Sequence, residues 1–327
     1  MSMDRRQVLQ TGVVGIVAAT SGSVAVATNP LPEIPITDTH VHLWDLDHLN
    51  PPWLKNASPK ISGAHVFSDY QRETAGLNIT RAIYMEVDVA PVDHDREADY
   101  VVSLISQGHT TIQAAVISGR PAEAQFADSM QRYRNHPLIK GVRQVLHGST
   151  PQGYCLQPQF VKSMQLLGEM DLSFDLCMRP TELDDAVKLV RQCPETRFVL
   201  DHLGNADYRA WLPGDAAADA LHTPEQWQRQ IDRLAGLPNV ACKVSGIVHR
   251  VPEGWDADLL APAINYCLDA FGPDRVVFGG DWPVCKLGDS IAAWVIALKQ
   301  IVTPRPVAVQ RALFHENANV WYRMKTA

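Results

Sequence analysis

The chain has 327 residues, of which 46% are hydrophobic, so it is long enough to bury one large core or two ordinary ones. Its net charge of −7 is spread along the chain and no Lys/Arg-rich run occurs, which excludes the charge pattern of a nucleic-acid-binding protein. The composition instead favours a folded protein that acts on a small molecule. The six cysteines form no C-x-x-C pair, so the sequence predicts neither a zinc knuckle nor a redox motif, and it indicates no disulfide.

The first 27 residues differ from the rest of the chain. Arg5 and Arg6 precede a weakly apolar stretch that ends at Ala25-Val26-Ala27, the pattern of a twin-arginine export signal with an A-x-A cleavage site. Glycine, serine and threonine interrupt the apolar run, so we expect no stable membrane insertion. The sequence therefore predicts a signal peptide over residues 1–27, a folded domain over 28–327 and a periplasmic or secreted protein. The alternative is a chance arginine pair in a disordered cytoplasmic tail.

From Ile36 onward, short β-rich apolar runs alternate with helical patterns. Eight strands are predicted, over Ile36–His42, Arg81–Val87, Thr111–Ser118, Ile139–Leu146, Leu172–Met178, Arg197–His202, Asn239–Ser245 and Arg275–Gly280. A strand followed by a helix, repeated eight times, is typical of a single-domain (β/α)8 TIM barrel. An open doubly wound sheet is the alternative. The glycine-rich G-x-G-x-x-G and G-x-x-x-x-G-K-[ST] motifs are absent, so no nucleotide cofactor is expected.

The helical patterns carry recognisable start and stop signals. Pro121 and Pro158 suit the first helical position, and Thr223-Pro224-Glu225-Gln226 combines such a proline with a capping box. Further helices are predicted over Arg96–Gln107, Thr181–Cys193, Asp256–Phe271 and Asp289–Val302, with a closing helix within Pro304–Tyr322.

Two histidines stand in the first predicted strand. His40 and His42 are two residues apart, so in a strand both imidazoles point to the same face. Neutral imidazole is a common metal ligand and can also polarise a carbonyl. The pair is therefore a candidate for half of a metal or acid–base site, although two histidines bonded to the backbone would explain the pattern equally well.

Polar residues also stand at the carboxyl ends of later strands. Strands of a barrel are buried on both faces, so a charged residue there needs a partner or a function. Glu86 and Arg143 could form a buried ion pair. Lys243 interrupts an apolar strand, and we expect it to contact an anion or a substrate hydroxyl, or else to pair with Asp175.

Asp281 follows Gly279 and Gly280, which could let the backbone approach a ligand closely. We expect this carboxylate to be a general base or a metal ligand. His202 alone could be a core histidine bonded to Asp201 or to a carbonyl, but its strand-end position beside the other candidates favours a place in the site.

The longest predicted connections follow strands one, six and seven, at the end of a barrel where active sites form. We expect them to wall a substrate pocket. Trp53 and Trp282 are predicted to offer apolar walls to a sugar face, and Arg143, Lys243 and Glu86 to bind the substrate. His249 and Arg250 could line the pocket or face water, and water is favoured.

Several segments together resemble one known family. They are Thr37–Trp44, Gly141–Arg143, Phe174–Pro180, Val199–Gly204, Lys243–Gly246 and Phe278–Pro283. In this order they resemble the amidohydrolase-related, metal-dependent hydrolases of TIM-barrel fold. The likeness is greatest to the sugar-acid lactonases, such as L-fuconolactonase and L-rhamnonolactonase, and more distant to the pyrone-dicarboxylate lactonases. It implies that His40, His42, His202 and Asp281 belong to the active site.

The chain also departs from that family. Where many members carry a histidine on strand five, this chain has Asp175, Cys177 and Arg179, and Arg143 stands where a bridging lysine or glutamate would be. A binuclear centre is therefore not expected. The resemblance leaves two alternatives: one divalent ion, with zinc favoured, held by the site histidines and Asp281, or a metal-free site like that of the pyrone-type relatives.

These observations predict an enzyme that opens a small lactone, in particular a sugar-acid lactone, by attack of water. Asp281 would act as general base, while histidines or a divalent metal polarise the carbonyl. The alternatives are a metal-dependent decarboxylase, another hydrolase of the superfamily, or a non-catalytic periplasmic binding protein. The missing strand-five histidine disfavours the decarboxylase. The sequence predicts a small-molecule substrate and no oligomeric state.

Overall fold

Eight parallel strands pair in chain order around the barrel. They are β1 Ile36–Val41, β2 Ile79–Met85, β3 Ile112–Ser118, β4 Ile139–Leu146, β5 Ser173–Met178, β6 Arg197–Leu200, β7 Val240–Val244 and β8 Val276–Phe278. The structure is a computed structural model, and it describes residues 33–148 and 150–324. The ring closes where Val41 pairs with Trp282, and where the Asp281 N–H donates to the His40 carbonyl at 2.8 Å. The predicted (β/α)8 barrel is confirmed.

Helices follow the strands and cover the outside of the barrel. The α-helices are Phe67–Glu73, His94–Ser106, Phe126–Gln131, Pro158–Glu169, Leu183–Gln192, Asp215–Ala218, Pro224–Ala235, Ala257–Phe271, Ile291–Val302, Val307–Arg311 and Asn317–Trp321. Short 3-10 turns occupy Pro52–Asn56, Pro91–Asp93, Tyr154–Leu156, Pro180–Glu182, Tyr208–Trp211, Ile247–Arg250 and Val284–Leu287. The capping box predicted at Thr223 is present. The predicted closing helix contains a π-helical segment, Ala312–Glu316.

The core has an inner and an outer part. Side chains that point into the barrel, such as Val116, Val199 and Val277, pack together with Trp321 and Tyr322 of the C-terminal segment. Asn317 donates to the Val276 carbonyl at the start of β8, so this segment covers the amino-terminal end of the barrel. The carboxyl-terminal end is thereby the end at which a substrate can enter.

Other expectations concern the cysteines and the N-terminus. All six cysteines are buried and free. Within the described part of the chain, no helix has both the length and the apolar character that a membrane span requires. The predicted signal peptide lies outside the described residues.

Gly279 and Gly280 allow β8 to approach β1. A Cβ on Gly280 would lie 2.4 Å from Asp38 Oδ2, and one on Gly279 would lie 2.9 Å from His40 Cβ. Asp38 in turn accepts from the Gly280 N–H at 2.6 Å and from the Tyr70 hydroxyl at 2.8 Å. The expectation that these glycines admit a ligand is therefore corrected, because the space that they leave is filled by β1.

We expect Gly280→Ala to lower the free energy of unfolding by about 1–3 kcal/mol, because the new methyl group overpacks the contact with Asp38. The measurement is urea unfolding followed by circular dichroism. Gly63→Ala is the matched control, since a Cβ there meets nothing within 4 Å. Equal stability of the two variants would contradict the closure by this contact.

Candidate active site

His40 and His42 converge at the carboxyl end of β1. Their Nε2 atoms are 3.1 Å apart, and His40 is fully buried. His42 Nδ1 lies 2.9 Å from the Glu86 carbonyl and 3.1 Å from the Met85 carbonyl. A carbonyl only accepts hydrogen bonds, so His42 carries a proton on Nδ1, and in the neutral ring Nε2 is an acceptor or a metal ligand.

Asp281 stands beside both histidines. Its Oδ1 lies 3.5 Å from His40 Nε2 and 3.4 Å from His42 Nε2. Burial raises the pKa of Asp281, but the charge of His202 and the contacts with His42 and His40 outweigh burial and bring that pKa well below its usual range. The side chain is therefore an ionised carboxylate at neutral pH, although it is only 2% exposed.

His202 lies on a turn beyond β6, where the sequence predicted that the strand would still continue. His202, Leu203, Gly204 and Asn205 all have φ between 56° and 68°, and so form one turn in the left-handed region. The His202 ring centroid is 4.7 Å from that of His40. Its Nδ1 is bonded to Ser245 Oγ at 2.8 Å, and neither Asp201 nor a carbonyl is its partner. Burial lowers the pKa of His202 to about 4, so the ring is neutral at pH 7.

Arg143 forms the expected ion pair with Glu86. Its Nε lies 2.6 Å from Glu86 Oε1, and a second nitrogen donates to the Glu86 carbonyl at 2.9 Å. Glu86 is fully buried and lies outside the cavity wall, where it orients Arg143. Arg143 itself lines the cavity.

Lys243 is fully buried below His40 and also lies outside the cavity wall. Its Nζ is 2.6 Å from Asp175 and 2.9 Å from Asp201. Tyr322 donates to the same Asp175 oxygen at 2.6 Å. Of the two alternatives raised by the sequence, the structure thus contains the salt bridge to Asp175, and the predicted contact of Lys243 with substrate is corrected.

The buried groups around His40 carry an excess of negative charge. Two cations, Arg143 and Lys243, face four carboxyl groups, namely Glu86, Asp175, Asp201 and Asp281, all of them buried. Ionised together, these side chains hold two more negative than positive charges. Burial raises the pKa of Asp175 to about 6, which relieves part of that excess. A bound cation would relieve it as well.

A cavity of about 560 Å³ opens above these residues. His42, Arg143, His202 and Asp281 form its polar floor, and Trp44, Trp53, Ile61, Val145, Val284 and Leu287 form much of its apolar wall. Trp53 is fixed by a hydrogen bond to the Val87 carbonyl at 2.8 Å. The volume and the mixed lining are those of a small-molecule site.

Two expectations about the cavity wall are corrected. Trp282 is fully buried below the floor, where its Nε1 donates to Glu73 at 2.7 Å, so it offers no wall. Of the two positions considered for His249 and Arg250, the favoured one in water is wrong for His249, which lines the cavity half-buried, whereas Arg250 lines the cavity and is also exposed. The 3-10 turn Ile247–Arg250 after β7 brings them there.

Three further residues of the site escaped the sequence reasoning. Asp201 links Arg143 to Lys243, Ser245 bonds His202, and Trp44 lines the cavity. The period of a strand could have indicated Ser245, since it stands two residues after Lys243 and a strand alternates its faces.

His40, His42 and Asp281 fit one divalent ion. Their facing nitrogen and oxygen atoms are separated by 3.1, 3.4 and 3.5 Å. Tetrahedral zinc ligands at about 2.0–2.1 Å from the ion lie about 3.3 Å from each other. Asp201 Oδ1 lies 2.9 Å from Lys243 Nζ and 3.5 Å from His40 Nδ1, where it could also accept the proton of a ligating imidazole.

Without a metal ion, the lone pair of a neutral His40 can accept a hydrogen bond from a cation. Arg143 Nη1 lies 3.2 Å from His40 Nε2 and Lys243 Nζ lies 3.2 Å from His40 Nδ1, and only one of the two can donate, because a neutral imidazole has a single lone pair. Burial and the charge of Lys243 hold the pKa of His40 well below its usual range. A neutral His40 is consistent with both the metal-bound and the metal-free arrangement.

Comparison with known proteins places this site in context. The Amidohydrolase family model matches residues 37–324. The chain is 26% identical to an uncharacterized protein of Sinorhizobium fredii over 308 residues, 89% of this chain and 99% of that protein. It is 24% identical to an L-fucono-1,5-lactonase of Burkholderia ambifaria over 267 residues, 80% of this chain and 86% of that enzyme. In fold it is similar to a zinc-bound amidohydrolase from Burkholderia multivorans, with a TM-score of 0.75 at 22% identity, over 89% of this chain and all of that one.

Proposed function

Because the chain belongs to the amidohydrolase family, it is a hydrolase, and we propose that its substrate is a small lactone, in particular the lactone of a sugar acid. The observation that carries this proposal is the ionised Asp281 between histidines on the floor of an aromatic-walled cavity. The relative named L-fucono-1,5-lactonase supports the substrate class.

In the proposed reaction, water attacks the carbonyl carbon of the lactone while Asp281 takes a proton from that water. The ring C–O bond then breaks, and the departing alkoxide takes the proton, which leaves a hydroxy acid. Asp281 is ionised at neutral pH, and a carboxylate is a weak base toward water, so it needs a reactive acyl group or a more acidic water. This favours an activated cyclic ester over an amide.

We propose that one divalent ion, with zinc favoured, binds to His40, His42 and Asp281. Bound there, a divalent ion lowers the pKa of water and stabilises the developing oxyanion. The acidic excess around His40 and the zinc in the Burkholderia multivorans amidohydrolase support this assignment. In the metal-free alternative, a hydrogen bond from His202 would polarise the carbonyl, since the proton of His42 is used on the Met85 and Glu86 carbonyls.

The cavity walls suggest how such a substrate would be held. Trp53 offers an apolar surface suited to the C–H face of a sugar, and the buried Trp44 ring supports it edge to face with centroids 5.2 Å apart. Arg143 on the floor, with Asn205 at the side, can bind hydroxyl or carboxylate oxygens.

We expect Asp281→Asn to lower kcat for lactone opening by roughly two to four orders of magnitude, because the amide cannot accept the proton. A panel of aldonolactones with a pH indicator gives the rates, and circular dichroism verifies the fold. Asp128→Asn, on an exposed helix, is the matched control. A folded Asp281→Asn variant with near-wild-type turnover would refute the base, and a wild type that opens no lactone would refute the substrate class.

We expect purified protein to hold about one divalent ion per chain, measured by elemental analysis. His42→Ala should lower that content, because it removes one of three ligands, whereas His48→Ala at an exposed position should not. Full activity after exhaustive chelation, with no metal detected, would select the metal-free version.

We also propose that the protein is exported through the twin-arginine signal of residues 1–27. N-terminal sequencing of the periplasmic protein from its native host should find a start near Thr28. Replacement of both Arg5 and Arg6 with lysine should retain the precursor in the cytoplasm. The export proposal would be contradicted if the protein were found in the cytoplasm with Met1 intact and the double substitution changed nothing.

A further inference from the structure

Ser245 lies directly after β7 and is fully buried against His202. Its hydroxyl oxygen is 2.8 Å from His202 Nδ1. Among residues 33–148 and 150–324, no other hydrogen-bond partner of this hydroxyl is found. The next residue, Gly246, leaves room for the ring, since a Cβ there would lie 2.2 Å from His202 Nδ1.

This single contact determines the direction of the hydrogen bond. A serine hydroxyl has one proton to donate, and a buried donor without an acceptor is destabilised. His202 Nδ1 is the acceptor that the surrounding residues provide, so the hydroxyl donates and Nδ1 holds a lone pair. A neutral imidazole carries a single N–H, which must then be on Nε2.

We propose that Ser245 is a positioning residue that holds His202 in the Nε2–H tautomer, so that His202 donates to the carbonyl oxygen of the lactone and does not bind a metal ion. The substrate part of this inference rests on the proposed function; the tautomer does not. It separates His202 from His42, whose Nδ1 carries the proton because it faces carbonyls.

The surroundings of His202 Nε2 suit a donor to substrate. The ring lines the cavity, and Nε2 has no hydrogen-bond partner among the described residues. Ligand atoms of His202, His40 and Asp281 lie within 4.8 Å of one another. A carbonyl whose carbon is attacked by water held at Asp281 therefore has its oxygen within reach of the His202 N–H.

Nitrogen NMR of protein labelled with 15N-histidine tests the tautomer directly, because protonated and unprotonated ring nitrogens have distinct shifts and couplings. His202→Asn identifies the His202 signals by their loss, and asparagine tolerates the left-handed backbone at this position. We expect wild-type His202 to show a protonated Nε2 and an unprotonated Nδ1. Ser245→Ala should broaden or mix these states, and Ser245→Thr, which keeps the hydroxyl, should restore them.

Kinetics provide the second readout. We expect Ser245→Ala to lower kcat by up to about tenfold with KM little changed, because one orienting hydrogen bond is lost. Ser245→Thr, which keeps that hydrogen bond, should recover the rate. A wild-type spectrum with the proton on Nδ1, or with Nε2 bound to a metal, would overturn the proposal whatever the variants do. If the tautomer is as expected but no lactone is opened, the proposed function fails and the role of Ser245 in fixing the ring stands.

Discussion

The site depends on the arrangement of buried charge below His40. Four carboxyl groups share this volume, and without Arg143 and Lys243 among them their desolvation and mutual repulsion would oppose folding. Asp201 is the common element, because it faces Arg143 on one side and Lys243 on the other. Burial and the charge of Lys243 keep His40 neutral, and the ion pairs surround its ring, so one network serves both the stability of the barrel and the geometry of the site.

A second constraint lies in the backbone. His202 and Asp281 both have positive φ, a conformation that costs non-glycine residues of order 1–3 kcal/mol. Backbone hydrogen bonds hold each of them there: the Asp281 N–H donates to the His40 carbonyl of β1, and the Gly204 N–H donates to the Asp201 carbonyl. Both residues leave their strands at this point, which turns their side chains over the end of the barrel and not into its packed interior.

Much of the fold could be predicted from the sequence, because the spacing of apolar residues reflects which side of each strand or helix is buried. The eight strands, the capping box at Thr223 and the pairing of Glu86 with Arg143 all follow from local pattern or from the cost of an unpaired buried charge. The residues whose positions were predicted wrongly are explained by turns that the local pattern does not show. Trp282 adjoins Asp281 in sequence, yet the turn after β8 points the two side chains to opposite sides of the cavity floor.

The role of His202 was beyond sequence reasoning for the same reason. Its strand was expected to continue, whereas the left-handed turn rotates the ring toward β7, and a partner on another strand is not visible in local spacing. Contacts between residues that are far apart in the sequence, such as His202 and Ser245, form only when the strands close into a barrel. The loop after strand seven is a similar case, because its sequence does not reveal the 3-10 turn that brings His249 and Arg250 to the cavity wall.

The electrostatics of the floor limit the chemistry that it can perform. Asp281 is ionised at neutral pH, but any carboxylate is a weak base toward water, so acceleration must come mainly from stabilising the oxyanion. The neutral ring of His202 can donate without carrying a charge that would neutralise the base. Such a site is matched to an acyl group that is already reactive, and the strain and good leaving group of a small cyclic ester meet that requirement better than a planar, resonance-stabilised amide.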